Sequence, residues 1–177
     1  AAPGGLEEDV DGLHFYRTPR DAGAFGRLPI IRELLLMRAT ARRLDGVARR
    51  VRPDILHAHS PVLNAIPALQ VGRRLGIPVV YEVRGFIEET WASHPERDED
   101  AARRSERYRA VRATESRVMA ASNAVVTLSE TMRLEIIARG CLPELRHPGV
   151  DQVDVALLSG DLLPQGGVAQ GTRPPMT

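Results

Sequence analysis

The sequence contains no lysine, a single cysteine and no long apolar run. Because all 24 basic side chains are arginine, the chain cannot form a phosphate-binding loop that ends in lysine. Cys141 has no partner for an internal disulfide, which fits a reducing compartment. No apolar stretch approaches the roughly 18 residues that a membrane-spanning helix needs, so the sequence predicts no such helix. A glycine-rich dinucleotide fingerprint and a nucleophile elbow are also missing.

The sequence also has no large excess of positive or negative charge. The 24 basic and 23 acidic side chains give a net charge of +1, which is too near zero for a chain whose whole surface holds nucleic acid. The most basic segment is a helix predicted over residues 99–121. Its arginines alternate with acidic residues, and Tyr108 is its one aromatic residue. We interpret it as a solvated helix face and treat binding of nucleic acid or an anionic membrane as the weaker alternative.

What the sequence does contain, from residue 54 onward, is an alternation of strands and helices. Strands are predicted over residues 54–59, 78–83 and 123–128. This pattern predicts an α/β fold with a Rossmann-like parallel sheet and helices on both faces. The helix after the first strand begins near Ser60 or at Asn64, since Pro67 limits its start.

Helix boundaries and the segments upstream follow from other local signals. Gly76 and Gly140 are predicted to end helices, and Ser129 is predicted to cap one. Residues 1–12 are expected to be irregular, and residues 13–16 form a short strand. A helix with one apolar stripe runs from Pro29 to Val51; we favour a helix lying on a sheet over a coiled coil.

Ligands of parallel sheets bind beyond the carboxyl ends of the strands. His57 and His59 are two residues apart on a strand, so both rings point to one face. Three interpretations remain open: His59, Ser60 and Asn64 line a polar pocket, which we favour; one histidine is buried and hydrogen-bonded; or the pair holds a metal ion. No cysteine or carboxylate cluster at ligand spacing supports the third, so we predict no metal.

The second strand ends in opposite charges. Glu82 and Arg84 share a face, and either they form an ion pair at the rim of the sheet or Arg84 binds a phosphate or carboxylate. In the second case Gly85 lets the ligand approach the backbone. Glu88 and Glu89, in the following loop, are either solvated or accept protons from ligand hydroxyls.

Three segments together resemble a known family. They are residues 52–60 (Arg-Pro-Asp-Ile-Leu-His-Ala-His-Ser), 81–85 (Tyr-Glu-Val-Arg-Gly) and 124–130 (Ala-Val-Val-Thr-Leu-Ser-Glu). They resemble the N-terminal, acceptor-side domain of family-4-type glycosyltransferases of the GT-B fold, and most of all bacterial members of the exopolysaccharide and exosortase-associated kind. The resemblance covers roughly residues 10–140. The three motifs in combination are fairly specific for the family, whereas each motif alone is a weak signal.

The resemblance implies transfer of a hexosyl unit, with retention, from a nucleotide sugar to a saccharide or lipid-linked acceptor, without a cofactor and generally without a metal ion. It implies a cytoplasmic location, with peripheral contact at the inner membrane, and no nucleic-acid partner. It puts His59 on the cleft wall and Arg84 where many relatives carry histidine, which we interpret as an acceptor or phosphate contact. The candidate substrate-binding residues are His57, His59, Ser60, Asn64, Glu82, Arg84, Gly85, Glu88, Ser129 and Glu130; catalytic residues are unassigned.

The resemblance also predicts the domain limits. The first strand of the family and its glycine-rich turn would precede residue 1, so residues 1–140 are expected to form a Rossmann-like domain that lacks its first strand. Residues 141–177 resemble no donor domain and are expected to be an irregular or disordered tail, for which a frameshift is one explanation. A fragment of this kind, one incomplete half of a GT-B fold without its C-terminal donor domain, is expected to be inactive alone. The alternative is a non-catalytic flavodoxin-like α/β module that binds a ligand or a partner.

Overall fold

The computed structural model of the chain describes residues 6–18, 29–141 and 156–157. The predicted irregular or disordered tail lies outside these ranges, apart from residues 156–157. Among the described residues no helix combines the length and the apolar composition needed to cross a bilayer.

The N-terminal part of the described chain is a β-hairpin. Strand β1 (Glu7–Val10) pairs antiparallel with β2 (Leu13–Tyr16) around Asp11 and Gly12, whose φ angles are 52° and 80°. The prediction of an irregular segment was wrong for β1, because Asp-Gly supplies the two positive φ angles of a two-residue hairpin turn. The strand at residues 13–16 is confirmed.

The first helix, α1 (Pro29–Val51), is confirmed, but its packing differs from the prediction. Its main contacts are with the next helix, α2 (Val62–Leu75), and buried Ala48 joins the core with the partly buried Ala41 and Leu44. Leu34 and Val51, at the two ends of the stripe, are about half exposed. The hairpin is tied to α1 by the Glu7 carboxylate, which lies 2.9 Å from guanidinium nitrogens of both Arg43 and Arg50. Hydrogen bonds from Arg50 and Arg43 hold the pKa of Glu7 below its usual value.

The centre of the fold is a parallel sheet, as predicted. Strands β3 (Leu56–His59), β4 (Val79–Val83), β5 (Ala124–Thr127) and the two-residue β6 (Ala156–Leu157) are hydrogen-bonded in that order. The sheet is flanked by helices, so the α/β, Rossmann-like fold class is confirmed.

The Arg-rich segment is two helices rather than one. Helix α4 (Glu99–Arg104) ends and α5 (Glu106–Ala121) begins at Ser105, whose extended backbone interrupts the helix and whose Oγ accepts from the Tyr108 N–H at 3.2 Å. Part of the predicted loop before them is a short helix, α3 (Ile87–Ala92). Serine competes with the helix by bonding the backbone as an N-cap, which explains the break.

Other helix boundaries follow the local signals. Gly76 and Gly140 end α2 and α6 (Glu130–Ala138) with φ of 70° and 68°, as predicted. Helix α2 begins at Val62, which is neither of the two starts considered. Pro67 therefore lies inside it.

The core lies on one face of the sheet. Helices α2 and α5 pack on this face, and Ile136 of α6 joins the same cluster. The buried strand residues in the cluster are Leu56, Ala58, Val79, Tyr81, Val83 and Val125. Since side chains alternate along a strand, His57 and His59 project from the opposite face.

A buried polar pair joins the sheet to α5. The Tyr81 hydroxyl donates to Glu115 at 2.8 Å, and both residues are buried. Burial raises the pKa of Glu115, and the negative charge of Glu88 adds to the shift, against the hydrogen bond from Tyr81. Folding therefore shifts the Glu115 carboxyl group toward its protonated form, as the raised pKa indicates.

This raised pKa predicts how stability depends on pH. A raised folded-state pKa contributes stability at low pH that is lost as pH rises through it. Glu115→Gln keeps an oxygen for Tyr81 but cannot ionise. We expect its free energy of unfolding, relative to wild type, to increase as pH rises above 4.5, the ordinary value for glutamate. Urea unfolding of both proteins between pH 4.5 and 8 measures this; a constant difference contradicts it.

Candidate functional site

The candidate site lies at the carboxyl ends of β3 and β4. In the parallel register of these strands His59 is opposite Glu82 and His57 is opposite Val80. Paired residues of a parallel sheet project to the same face, so the two imidazoles and the Glu82 carboxylate come together. The sequence predicted this edge of the sheet, but it did not give the register that places Glu82 between the histidines.

Four side chains form what we call the rim cluster: His57, His59, Glu82 and Arg84. Glu82 Oε2 lies 3.2 Å from His57 Nε2 and 3.1 Å from His59 Nδ1, and the two rings stack with centroids 4.8 Å apart. The other oxygen, Oε1, lies 3.5 Å from Arg84 Nε. Glu82 is 8% exposed, against 46% and 49% for the histidine side chains and 61% for Arg84. The cluster therefore has a buried anionic centre and cationic or titratable groups that face solvent.

Ser60 and Asn64 hold the loops around this cluster. Ser60 N–H donates to the Glu82 carbonyl at 2.9 Å, and Ser60 Oγ accepts from the Arg84 N–H at 3.1 Å. Asn64 does not cap α2; it lies in the first turn, and its amide nitrogen donates to the His59 carbonyl at 3.2 Å. These bonds fix the ends of β3 and β4 relative to each other.

Three further candidates follow the strands without joining the cluster. A side chain added at Gly85 would meet open space, and its φ is not left-handed, so the fold does not require glycine there. Ser129 caps α6 as predicted, accepting from the Met132 N–H at 3.3 Å. Glu130 bonds to Arg133, and these hydrogen bonds hold its pKa below the usual value.

Glu88 is buried in a helix and is not part of the rim cluster. It belongs to α3, its side chain is fully buried, and its carboxylate is 2.7 Å from Arg139 Nη1. A carboxylate buried against an arginine cannot accept a proton from a ligand at the rim, so the predicted position in an accessible loop was wrong. No local sequence pattern indicates this pair, because the two residues are 51 positions apart.

A groove between four helices was not predicted. It has a volume of about 870 Å³ and is lined by residues of α3, α4, α5 and α6 and by Phe86 in the β4–α3 loop. Its charged lining consists of Glu89, Arg103, Arg112 and Glu135. Arg112 Nη2 and Arg139 Nε each lie 2.9 Å from Glu135 Oε1. Burial opposes ionisation of Glu135, but these hydrogen bonds outweigh it and lower its pKa. Arg103 and Arg112 belong to the Arg-rich segment, residues 99–121, which the sequence predicts to be a solvated helix face. That segment was the sequence signal for this groove.

One of the comparisons with known proteins, the match to a family model, agrees with this architecture. No curated protein matches the chain. The family model described as "Glycosyl transferase 4-like domain" matches residues 1–148, which is most of the sequence. The strand–helix alternation and the polar rim at the strand ends lie within the matched range. The chain belongs to the glycosyl transferase 4-like domain family.

Proposed function

We propose that this chain forms the acceptor-binding wall of a retaining glycosyltransferase. The reaction moves a hexosyl unit from a nucleotide sugar to a saccharide or a lipid-linked acceptor, and a second domain holds the donor nucleotide. The observation that carries the proposal is the gathering of the rim cluster at the carboxyl edge of the sheet in a member of this family.

The rim cluster suits a hydroxylated acceptor. Imidazole and carboxylate groups donate and accept hydrogen bonds, and they lie 3.1–3.2 Å apart, so one sugar hydroxyl reaches both. The Arg84 guanidinium, exposed and beside the open space at Gly85, suits a phosphate such as that of a lipid-linked acceptor. The groove whose lining includes Phe86, two residues after Arg84, offers room for the rest of the acceptor.

The same geometry argues for inactivity of the chain alone. Departure of the nucleoside diphosphate requires cationic groups or backbone N–H groups around its phosphates. We assign the acceptor contacts named above to this chain and the contacts to the departing diphosphate to the second domain. We place the whole enzyme in the cytoplasm, at the inner face of the bacterial inner membrane, where exopolysaccharide precursors are assembled on lipid carriers.

Binding measurements test the proposal. We expect p-nitrophenyl hexosides and hexose 1-phosphates, as acceptor analogues, to shift the imidazole NMR resonances of His57 and His59. UDP-glucose and GDP-mannose should leave them unchanged. Arg84→Met should weaken binding of the 1-phosphates roughly tenfold or more, because a charge-assisted hydrogen bond is lost.

Arg73→Met is the matched control. Arg73 is an exposed arginine in the last turn of α2, at the opposite edge of the sheet, so binding should be unchanged. Tight binding of the nucleotide sugars, with no response to acceptor analogues, would instead support a stand-alone nucleotide-binding module. Turnover of a nucleotide sugar by the 177-residue chain would contradict the proposed division of labour.

A further inference from the structure

The rim cluster has a second chemical property, which does not require a bound sugar. Three of its atoms are common metal ligands: His57 Nε2, His59 Nδ1 and a Glu82 carboxylate oxygen, all within 4.8 Å of one another. We propose that these three side chains bind a divalent transition-metal ion such as Zn²⁺. The proposal goes beyond the proposed transferase function, which we expect to proceed without a metal ion.

The spacing of the ligands fits a metal ion of this size. Two ligands at tetrahedral angles and about 2.0–2.2 Å from zinc are separated by about 3.4 Å. Glu82 Oε2 is 3.2 Å and 3.1 Å from the two imidazole nitrogens. The imidazoles are about half exposed, so rotation of a ring to bring the nitrogens closer needs no repacking of the core.

The donor set selects the kind of metal. Two imidazoles and one carboxylate suit zinc and its neighbours in the first transition row, whereas magnesium and calcium prefer all-oxygen sites. The three ligands leave positions for water or a ligand oxygen, as in zinc sites with an open coordination position. The sequence argued against a metal because no carboxylate stood at ligand spacing. The parallel register of β3 and β4 supplies one from 23 residues further along the chain.

Arg84 is an unfavourable neighbour of the metal site. Its Nε lies 3.5 Å from Glu82 Oε1, the oxygen that does not approach the imidazoles, so Oε2 remains available to the ion. The positive charge of the guanidinium repels a cation at the site and competes for the carboxylate. Removing this charge should therefore strengthen metal binding.

Metal titration of the 177-residue chain, without sugar, tests the proposal. We expect one Zn²⁺ per chain in competition with a chromophoric chelator, and bound Co²⁺ should show the strong visible bands of a four-coordinate site. His57→Ala, His59→Ala and Glu82→Gln should each weaken binding at least tenfold. Arg84→Met should tighten it. In long-range ¹H–¹⁵N spectra, Zn²⁺ should shift Nε2 of His57 and Nδ1 of His59.

His94→Ala is the matched control, because it removes another exposed imidazole, which lies outside the cluster. It should bind Zn²⁺ as wild type does. Equal weakening by His94→Ala and His57→Ala, absence of stoichiometric binding, or weaker binding in Arg84→Met would overturn the metal site. Sugar binding is measured on the metal-free chain, with a chelator present, so failure of the metal site can be distinguished from failure of the acceptor site. Glu82→Gln preserves the shape of the buried side chain, and circular dichroism confirms that each variant is folded.

Discussion

Replacing Arg139 by methionine should destabilise the domain by about 3–5 kcal/mol, because the buried carboxylate of Glu88 loses its counter-charge. The Glu88 and Arg139 side chains are 0% and 2% exposed, and their charged atoms lie 2.7 Å apart. Within the described residues, Glu88 Oε2 and Arg139 Nη2 have no hydrogen-bond partner, so neither charge has a second partner at these atoms if the other residue is lost. The Arg139 guanidinium also lies 4.0 Å from the centre of the Phe86 ring, a contact that methionine partly replaces.

Urea unfolding followed by circular dichroism measures this loss. The double variant Glu88→Leu/Arg139→Met removes both charges, and we expect it to recover most of the stability, since an apolar pair of similar volume satisfies a buried site. If the single variant does not fold, the double variant should still do so. A double variant no more stable than Arg139→Met would show that the packing of the side chain, not its charge, is what matters.

Gly72→Ala should destabilise the domain by about 1–3 kcal/mol through overpacking. A Cβ at Gly72 would lie 2.6 Å from both the Ile77 carbonyl oxygen and Val79 Cγ2. The carbonyl belongs to the turn between α2 and β4, where the Ile77 N–H donates to the Gly72 carbonyl at 2.9 Å. Backbone on both sides of the contact must therefore move to admit a methyl group.

Gly46→Ala is the matched control, with the opposite sign. Gly46 lies in α1, is exposed, and has no heavy atom within 4 Å of an added Cβ. Alanine there should stabilise the helix by about 0.5–1 kcal/mol, because glycine loses more backbone entropy on folding. Chemical unfolding of the two variants should thus shift the urea midpoint in opposite directions; equal shifts would remove the steric explanation for Gly72.

The sequence determined the elements whose signals are local. Alternating strands and helices, the helix ends at Gly76 and Gly140, and the Ser129 cap all depend on residues within a few positions of each other, so they could be predicted. The edge of the sheet that carries the site followed from the same alternation. Local signals also misled where a competing one was overlooked, as with the Asp-Gly turn of the hairpin and the serine that separates α4 from α5.

Only the tertiary structure decided which charged groups meet. The register of β3 and β4 puts Glu82 between two imidazoles, and the packing of α3 against the end of α6 buries Glu88 with Arg139. In the sequence these glutamates look alike, since both stand within four residues of Arg84. The free energy of a charged side chain in the folded protein depends on its burial and on its distance to an oppositely charged group, which can lie far along the chain. The fold therefore makes one of them part of an accessible rim and the other part of the core.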